Sequence, residues 1–447
     1  MTTHSAGTPD NGSTKKGVVL KDGSAQPLRK VLGGSVVGTI VEYYDFGVYG
    51  YMATVLAALF FSTGDPGTAL LSTLATFAVA FFLRIPGGLL FGHIGDKYGR
   101  KKALSWTILL MCIATLGIGL MPTYVTLGIW ATILLVLARC LQGLAAGGEL
   151  GGATAFVAES APKERRAGLT SLVNVGVNIG SLIAALTVLL MNTIFTSEQI
   201  LSWAWRLPFL VSLPLAFIGI WIRSQLEDTP QFKELKDDGE VAEVPVKELF
   251  RNFKGSIFRI AGLSALYTGG YYVAYVYGPI YMQTVGHQTA QLAFTSTCIV
   301  LVLGAILNPV SGRLSDRYGR RPLFIAAGIT GVLFAIPAFA MMASSTNLAV
   351  VVAAQILLAI PVSLSIGPAF SAFAEMLTAQ VRYSGIALGM NLAQLVLGGT
   401  APFICAWLIQ TTGINLAPAG FFALCGAVVL AGTIGLKETA RTELRVD

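Results

Sequence analysis

Two near-copies of one polar motif decide the fold of this chain: GHIGDKYGRKK at Gly92–Lys102 and GRLSDRYGRRP at Gly312–Pro322. Each copy stands between two apolar runs of about 20 residues, the length that crosses a bilayer as a helix. Such runs recur along nearly the whole chain. A motif that returns between corresponding runs indicates that a unit of several helices has been duplicated.

The apolar runs predict an all-α membrane protein with twelve transmembrane helices in two bundles of six. The composition agrees, because 54% of the residues are hydrophobic and 12% are charged, against about a quarter charged in soluble domains. The expected helices cover 31–60, 68–91, 103–121, 126–156, 168–194, 203–222, 258–283, 292–311, 323–343, 347–374, 384–410 and 418–436.

The basic residues predict the orientation of these helices. If the N-terminus is cytoplasmic, every Lys and Arg except Arg84, Arg139 and Arg206 falls on the cytoplasmic side. The positive-inside rule therefore predicts an inner-membrane protein with both termini in the cytoplasm. The same distribution accounts for the net charge of +7 without a nucleic-acid partner.

A polar, mixed-charge stretch at 227–255, EDTPQFKELKDDGEVAEVPVKELFRNFKG, separates the two bundles. The residues before the first helix are rich in Gly, Ser, Thr and Lys and lack the apolar core of a signal peptide. The predicted organisation is a disordered cytoplasmic tail at 1–27, an N-terminal bundle at 28–223, a central cytoplasmic loop at 224–256, a C-terminal bundle at 257–437 and a cytoplasmic tail at 438–447.

The doubled motif, G-x-x-x-D-x-x-G-R-[KR], resembles the signature of the major facilitator superfamily. More narrowly, the chain resembles the metabolite:proton symporters, which import shikimate, 2-oxoglutarate, citrate, or proline and betaine. The matching segments are GTIVEYYDFGVYG (Gly38–Gly50), FLRIPGGLLFGHIGDKYGRKK (Phe82–Lys102), RCLQGLAAGGELGGA (Arg139–Ala153), ESAPKERRAG (Glu159–Gly168), WAWRLPF (Trp203–Phe209), LEDTPQF (Leu226–Phe232) and VRYSGIALG (Val381–Gly389). Osmosensing members carry a C-terminal coiled coil, and no heptads follow the last predicted helix here, so we expect no osmosensing of that kind.

Charged side chains inside the membrane are candidates for proton coupling, because each costs about 2.5–3.5 kcal/mol to insert. Glu42 and Asp45 in the first helix and Arg139 in the fourth are expected at similar depth. One carboxylate, for which we favour Asp45, would take up the driving proton while a nearby arginine tunes its pKa. The alternative is a fixed ion pair that only joins helices. The resemblance implicates the R-x-x-Q-G motif of the fourth helix, Arg139 and Gln142, in proton transfer.

The two motif copies are expected to form a cytoplasmic gate. An Asp facing a neighbouring helix end, with basic residues paired to a Glu, would hold the cytoplasmic ends of the helices together in the outward-open state. The alternative is charge that only sets topology. The candidate gate residues are Asp96, Arg100, Glu159, Asp316, Arg320 and Glu375.

Polar side chains at mid-depth are the candidates for solute binding, because both halves supply them to the space between the bundles. Arg84 would balance the second carboxylate or contact an anionic solute. Interhelical hydrogen bonds and an interfacial aromatic belt are the alternatives for the others. The candidates are Tyr49, Arg84, Gln142, Asn174, Asn178, Tyr267, Tyr271, Gln355, Asn391 and Gln394, with Tyr272 and Tyr275 on the same helix as Tyr267.

The function predicted from these features is proton-coupled uptake of a small organic acid anion by alternating access. A zwitterionic osmolyte such as proline or betaine, and an uncoupled facilitator or exporter, are the alternatives. No enzyme, cofactor or metal site is expected, because the chain has no nucleotide-binding P-loop and its His and Cys residues lack metal-ligand spacing. The expected partners are the solute, the proton and the bilayer, with no obligate protein partner.

Overall fold

The computed structural model describes residues 28–61, 64–98, 100–147, 154, 157–159, 161–224, 246–378 and 381–444. The predicted disordered tail at 1–27 lies outside them. So do the side chains of Asp96 and Arg100, whose backbone alone is described.

Within the described residues, helical segments group into twelve membrane-crossing units, here α1 to α12. Their bounds are α1, Leu28–Tyr51 and Ala53–Phe60; α2, Pro66–Tyr98; α3, Arg100–Leu120; α4, Tyr124–Leu127 and Ile129–Ala146; α5, Arg166–Thr170 and Leu172–Ile194; α6, Leu207–Leu210 and Ser212–Ser224; α7, Val246–Leu263, Leu266–Gly270, Tyr272–Tyr277 and Gly278–Thr284; α8, Ala290–Tyr318; α9, Arg320–Ser344; α10, Leu348–Glu375; α11, Arg382–Ala393, Gln394–Gly398 and Ala401–Thr412; and α12, Ala417–Gly432. Two short helices, Ser197–Ser202 and Ala204–Arg206, join α5 to α6.

Eight of these units are long and apolar enough to cross a membrane by length and composition alone, and α3 and α12 contain shorter apolar segments. α1 and α7 fall outside that count; both are interrupted, and α1 carries Glu42 and Asp45. α7 is helical from Val246, inside the range 224–256 predicted as loop, because the stretch that follows repeats its apolar residues at helical spacing.

The twelve units form two halves of six. In the first half α1 packs on α5 and α2 on α4, and in the second half α8 and α9 pack on α10 while α9 packs on α12. The halves meet where α5 packs on α8 and α2 on α11. We call the end where α2 meets α3 and α8 meets α9 the inner end, since it is predicted to be cytoplasmic.

The outward faces of the helices are apolar. Large hydrophobic side chains such as Phe82, Trp106, Trp221 and Leu333 are exposed, whereas buried residues of both halves join in one hydrophobic cluster. Exposed apolar surface on this scale is unfavourable in water and suits contact with lipid.

The second motif copy, expected as a loop, is almost entirely helical. α8 continues to Tyr318 and α9 begins at Arg320, so that Gly319 alone separates them. Gly319 has φ of 110°, a conformation that favours glycine. A Cβ at this position would also lie 2.5 Å from Oε2 of Glu438. The link between the two helices is therefore a single glycine.

α2 and α4 approach each other through glycines. A Cβ on Gly143 would collide with the backbone of Ala80, and one on Gly147 would collide with the backbone of Arg84. Small residues at such contacts let helix backbones come close in a membrane. This approach brings Arg84 of α2 and Arg139 of α4 to the same level of the first half.

We expect Gly143→Ala to lower thermal stability, because its methyl group has no space between α2 and α4. Overpacking of this kind costs about 1–3 kcal/mol. The matched control is Gly117→Ala on α3, where a Cβ would meet nothing within 4 Å. Thermal unfolding of both variants in detergent checks the prediction, and equal melting temperatures would contradict the close approach.

Candidate functional site

The centre of the first half holds two buried carboxylates on one helix. Glu42 and Asp45 of α1 are each 1% exposed. They stand three residues apart, so they project from one side of the helix. Because charges at such depth need partners, their surroundings decide what the site can do.

Glu42 pairs with Arg84. Its Oε1 lies 3.0 Å from an Nη of Arg84, and both side chains are buried. The other Nη of Arg84 donates to Oε1 of Gln394 at 2.7 Å. Since Gln394 belongs to α11, this arginine links a carboxylate of the first half directly to the second half.

Two aromatic rings enclose the Arg84 guanidinium. Its Cζ lies 4.4 Å from the ring centre of Phe46 and 4.6 Å from that of Phe81. Cation–π contacts of this geometry stabilise a desolvated cation. Neither phenylalanine was a candidate from the sequence, because an apolar residue in an apolar helix gives no signal, although Phe46 stands one helical turn after Glu42.

Arg139 of α4 occupies a second, separate set of contacts. It donates to Oε1 of Gln142 at 2.6 Å, and its Cζ lies 4.2 Å from the ring centre of Tyr49. Gln142 in turn donates to the hydroxyl of Thr115 at 2.6 Å. Tyr49 and Gln142, both solute candidates, therefore hold the Arg139 guanidinium in place.

Asp45 lies beside this second set. Thr115, Arg139 and Glu42 are the groups that interact with its carboxylate. In the described part of the chain, Asp45 takes part in none of the ion pairs within 4.0 Å. The expected proximity of α1 and α4 is thus present, with Asp45 held less tightly than Glu42.

The remaining solute candidates lie mostly at the interface of the halves. The hydroxyls of Tyr271 and Ser181 are 2.8 Å apart, and Asn391 donates to the carbonyl of Gly147 at 3.2 Å. Asn178 and the hydroxyl of Tyr275 both border Gly304. The interface therefore combines polar groups of α4, α5, α7 and α11.

Three candidates have other surroundings. Gln355 of α10 donates to Thr297 of α8 at 3.1 Å, an interhelical hydrogen bond within the second half. Asn174 of α5 is fully buried. Tyr267 of α7 packs against Phe370. Tyr267 is also close enough to Glu42 and Arg84 to interact electrostatically with them.

Three π-helical segments flank the interface. Two lie in α7, at Leu266–Gly270 and Tyr272–Tyr277, and one lies in α11, at Gln394–Gly398. Such stretches are rare and occur frequently at functional sites. A cavity of about 10 Å³ lies between α2, α4 and α11, lined by Arg84, Ala146, Gly147, Ala387, Met390, Asn391 and Gln394. It has room for about one water molecule.

The gate residues of the second half lie together at the inner end. Arg320 donates to Asp316 at 2.8 Å and to Glu375 at 3.1 Å. The carboxylate of Asp316 accepts the backbone N–H groups of Ala167 and Gly168, at 3.0 and 2.8 Å. An anion at the N-terminal end of α5 is favoured by the unpaired N–H groups there. Asp316 thus joins α8 to the first half.

Two reciprocal salt bridges cross the same interface. Arg166 of the first half lies 3.0 Å from Glu375 of the second, and Arg382 of the second lies 2.7 Å from Glu159 of the first. The repeat places one Glu and one Arg in each half. In the structure, the Arg of each half pairs with the Glu of the other half. The duplicated residues therefore close the inner end symmetrically.

The C-terminal segment, residues 437–444, covers this gate. Glu438 accepts the backbone N–H groups of Arg320 and Arg321 at 2.8 and 3.1 Å. Further along, the carbonyl of Thr442 accepts from Arg166, and Glu443 pairs with Lys163 at 2.5 Å. The segment leaves the second half and binds the first, although the sequence predicted it only as a tail.

Comparison with known proteins identifies the family. The model for "Sugar (and other) transporter" proteins matches residues 32–251 and 232–445. The chain belongs to this family. The predicted resemblance to the major facilitator superfamily is confirmed, and the chain is a multi-pass inner-membrane transporter.

Several curated transporters are similar over most of their length. The proline/betaine transporter of Salmonella typhimurium is 36% identical over 96% of this chain and 86% of its own length. The shikimate transporter of Escherichia coli is 35% identical over 94% of this chain and 96% of its own length. Both belong to the solute groups named in the predicted resemblance.

Solved structures confirm the twelve-helix fold. The transporter is similar to the partially occluded, inward-open xylose transporter XylE of Escherichia coli, with a TM-score of 0.73 and 18% identity. The similarity covers 92% of this chain and 98% of XylE. At this identity the comparison shows the fold alone.

We expect Glu375→Gln to open the inner end of the transporter. Removing one partner of a buried ion pair costs about 3–5 kcal/mol, and Glu375 binds both Arg166 and Arg320. Labelling of a cysteine at Ser171, in a variant without other cysteines, should become several-fold faster. Glu198→Gln, which removes an exposed carboxylate at the opposite end of the helices, is the control; equal labelling in both would contradict the gate.

We expect acid to release the C-terminal segment. Burial alone would raise the pKa of Glu438, but backbone N–H groups of Arg320, Ala440, Arg321 and Thr439 outweigh it and hold the pKa below its usual 4.5. Stabilisation from a depressed pKa is present above the usual value and is lost as pH falls through the lowered one. A spin label at position 442 should therefore become mobile in acid.

Glu438→Gln is the informative variant for that measurement, because it removes the titrating carboxylate. Its label should be mobile at neutral pH as well as in acid. A label in Glu438→Gln that is as immobile at neutral pH as the wild-type label would show that Glu438 does not hold the segment.

Proposed function

We propose that this transporter imports a small carboxylate-bearing solute together with a proton, by alternating access of its two halves. The observation that supports it is the ion pair between buried Glu42 and buried Arg84, which also bonds across the interface to Gln394, beside a second buried carboxylate, Asp45, that lies near Arg139. Transporters of this kind place solute and coupling sites near the middle of the membrane, where repeats meet.

Asp45 is the proton acceptor in this proposal. Arg139 is the group that favours loss of the proton from Asp45. Asp45 lacks the short ion pair that holds Glu42 to Arg84, so protonation breaks no such contact. Burial favours its neutral form and a nearby arginine favours its charged form. A change in the distance to Arg139 between the two states would load and unload the proton.

Arg84 is the anchor for the solute carboxylate. Its Nε has no hydrogen-bond partner among the described residues, and it borders the cavity between α2, α4 and α11. The relatives named for proline, betaine and shikimate support this class, because each of those solutes bears a carboxylate. The class includes both the organic acid anion and the zwitterion.

The gate residues have the conformational role in the proposal. Asp316, Glu375 and Arg382 join the halves at the inner end, while Gln291 donates to the carbonyl of Asn192 at the opposite end at 2.7 Å. Alternating access requires each set of contacts to break in turn. A facilitator or exporter of the same fold would use the same gate without the proton step.

We expect Asp45→Asn to abolish proton coupling while solute exchange remains. Purified protein in liposomes with a trapped pH dye would receive proline, betaine, shikimate, 2-oxoglutarate or citrate outside. Wild type should acidify the interior with the transported solute, and Asp45→Asn should reduce that signal at least about tenfold, since no other group replaces the proton acceptor.

Counterflow of labelled solute measures transport without net proton movement, and it should persist in Asp45→Asn. Glu198→Gln, which removes an exposed carboxylate outside the helices of the site, is the control and should behave as wild type. Solute entry without acidification in wild type would leave a facilitator and disprove the coupling.

A further inference from the structure

The Glu42–Arg84 pair has the charges of a small zwitterion. It consists of one carboxylate and one guanidinium whose nearest charged atoms lie 3.0 Å apart, and both side chains are almost fully buried. The pair is neutral as a whole. A solute that takes the place of one residue of the pair therefore has to carry the same charge as the residue that it replaces.

The surroundings of the pair suit a solute cation as well as a carboxylate. Tyr43, Tyr267 and Tyr272 are close enough to interact electrostatically with both Glu42 and Arg84. Tyr272 also packs edge-on against Phe81, with ring centres 5.3 Å apart, and Phe81 lies over Arg84. Aromatic faces bind quaternary ammonium groups, and tyrosine hydroxyls accept hydrogen bonds from secondary ones.

We infer that the Glu42–Arg84 pair is a zwitterion site, in which the solute carboxylate binds Arg84 and the solute ammonium binds Glu42 among Tyr43, Tyr267 and Tyr272. The inference rests on the proposed function and narrows its solute class. The two halves separate to admit the solute, because the cavity beside Arg84 has a volume of only about 10 Å³. The solute then replaces the attractive contact between Glu42 and Arg84 with two attractive contacts, one to each side chain.

A simple organic acid anion does not satisfy this site. If such an anion displaced Glu42 from Arg84, the buried carboxylate would lose its short contact with the guanidinium, which is strongly unfavourable. A proton on Asp45 does not correct this, because Asp45 adjoins Arg139 and Thr115 while the short contact of Glu42 is with Arg84. The zwitterion keeps both charges of the pair compensated.

The test compares solutes of equal shape that differ only in the cation. Glycine betaine is paired with 3,3-dimethylbutyrate, and proline with cyclopentanecarboxylate; in each second compound a carbon replaces the charged nitrogen. Binding to purified protein and competition for uptake in liposomes are measured for all four. We expect wild type to prefer each zwitterion over its carbon counterpart by at least about tenfold, the effect of one desolvated charge contact.

Three variants assign that preference to the pair and to the tyrosine beside it. Glu42→Gln should reduce the preference for the zwitterion to within about threefold by weakening zwitterion binding, since the amide keeps the shape of the side chain and loses its charge. Tyr272→Leu should weaken betaine more than 3,3-dimethylbutyrate. Arg84→Gln should weaken all four compounds. Thermal unfolding of each variant shows whether a loss of binding reflects misfolding. The comparison of the four solutes in wild type does not depend on any variant.

The outcomes separate the inference from the proposed function. If wild type binds and transports 3,3-dimethylbutyrate as well as betaine, with acidification, the zwitterion site is wrong and proton-coupled carboxylate transport stands. If Glu42→Gln keeps the full preference, the cation binds elsewhere and the inference fails. If none of the four binds while shikimate or citrate drives acidification, the solute is an anion. If betaine binds selectively and enters without acidification, the site stands and the coupling fails.

Discussion

The ion pair between Glu42 and Arg84 is the interaction on which the central site depends. Neither charge would be stable alone at this depth, so α1 and α2 have to meet where these residues face each other. The glycine contacts between α2 and α4 set the position of Arg84, and the rings of Phe46 and Phe81 enclose its guanidinium. The pair thus ties the packing of the first half to its chemistry.

The same constraint acts at the inner end with a different result. There the charges of Glu375, Arg166 and Arg382 are compensated across the interface of the halves. When the halves separate, these charged side chains become exposed to water, which solvates them well. The gate accordingly has two satisfied arrangements, paired when closed and hydrated when open, and intermediate separations satisfy neither. Such a bistable interface suits alternating access.

The sequence predicted the parts of this arrangement that a membrane makes conspicuous. Glu42, Asp45 and Arg139 were identifiable because charges are rare in apolar helices, and the twelve helices because their lengths match the bilayer. The sequence did not reveal that Arg382 pairs with Glu159 across the halves, since a repeat shows equivalent residues and not which copies meet. Depth along a helix can be counted from sequence, whereas partners on other helices depend on packing.

Other features gave no sequence signal at all. The role of Glu438 was hidden because it depends on backbone N–H groups of α9, which every helix start possesses. The π-helical stretches of α7 and α11 arise from packing at the interface, and their residues read as an ordinary apolar helix. A residue such as Phe81 acquires its role only from the guanidinium beside it.

The central site and the gate are connected because the same helices carry both. α5 begins at the N–H groups bound by Asp316 and continues to Ser181, which meets Tyr271 of α7. α11 begins with Arg382 in the gate and continues to Gln394, which bonds to Arg84. A change in the charges around Arg84 therefore alters the hold on α11 from its middle, while the gate holds its inner end. α5 and α11 thus link the two sites mechanically, since closely packed elements pass a displacement on to the groups they contact.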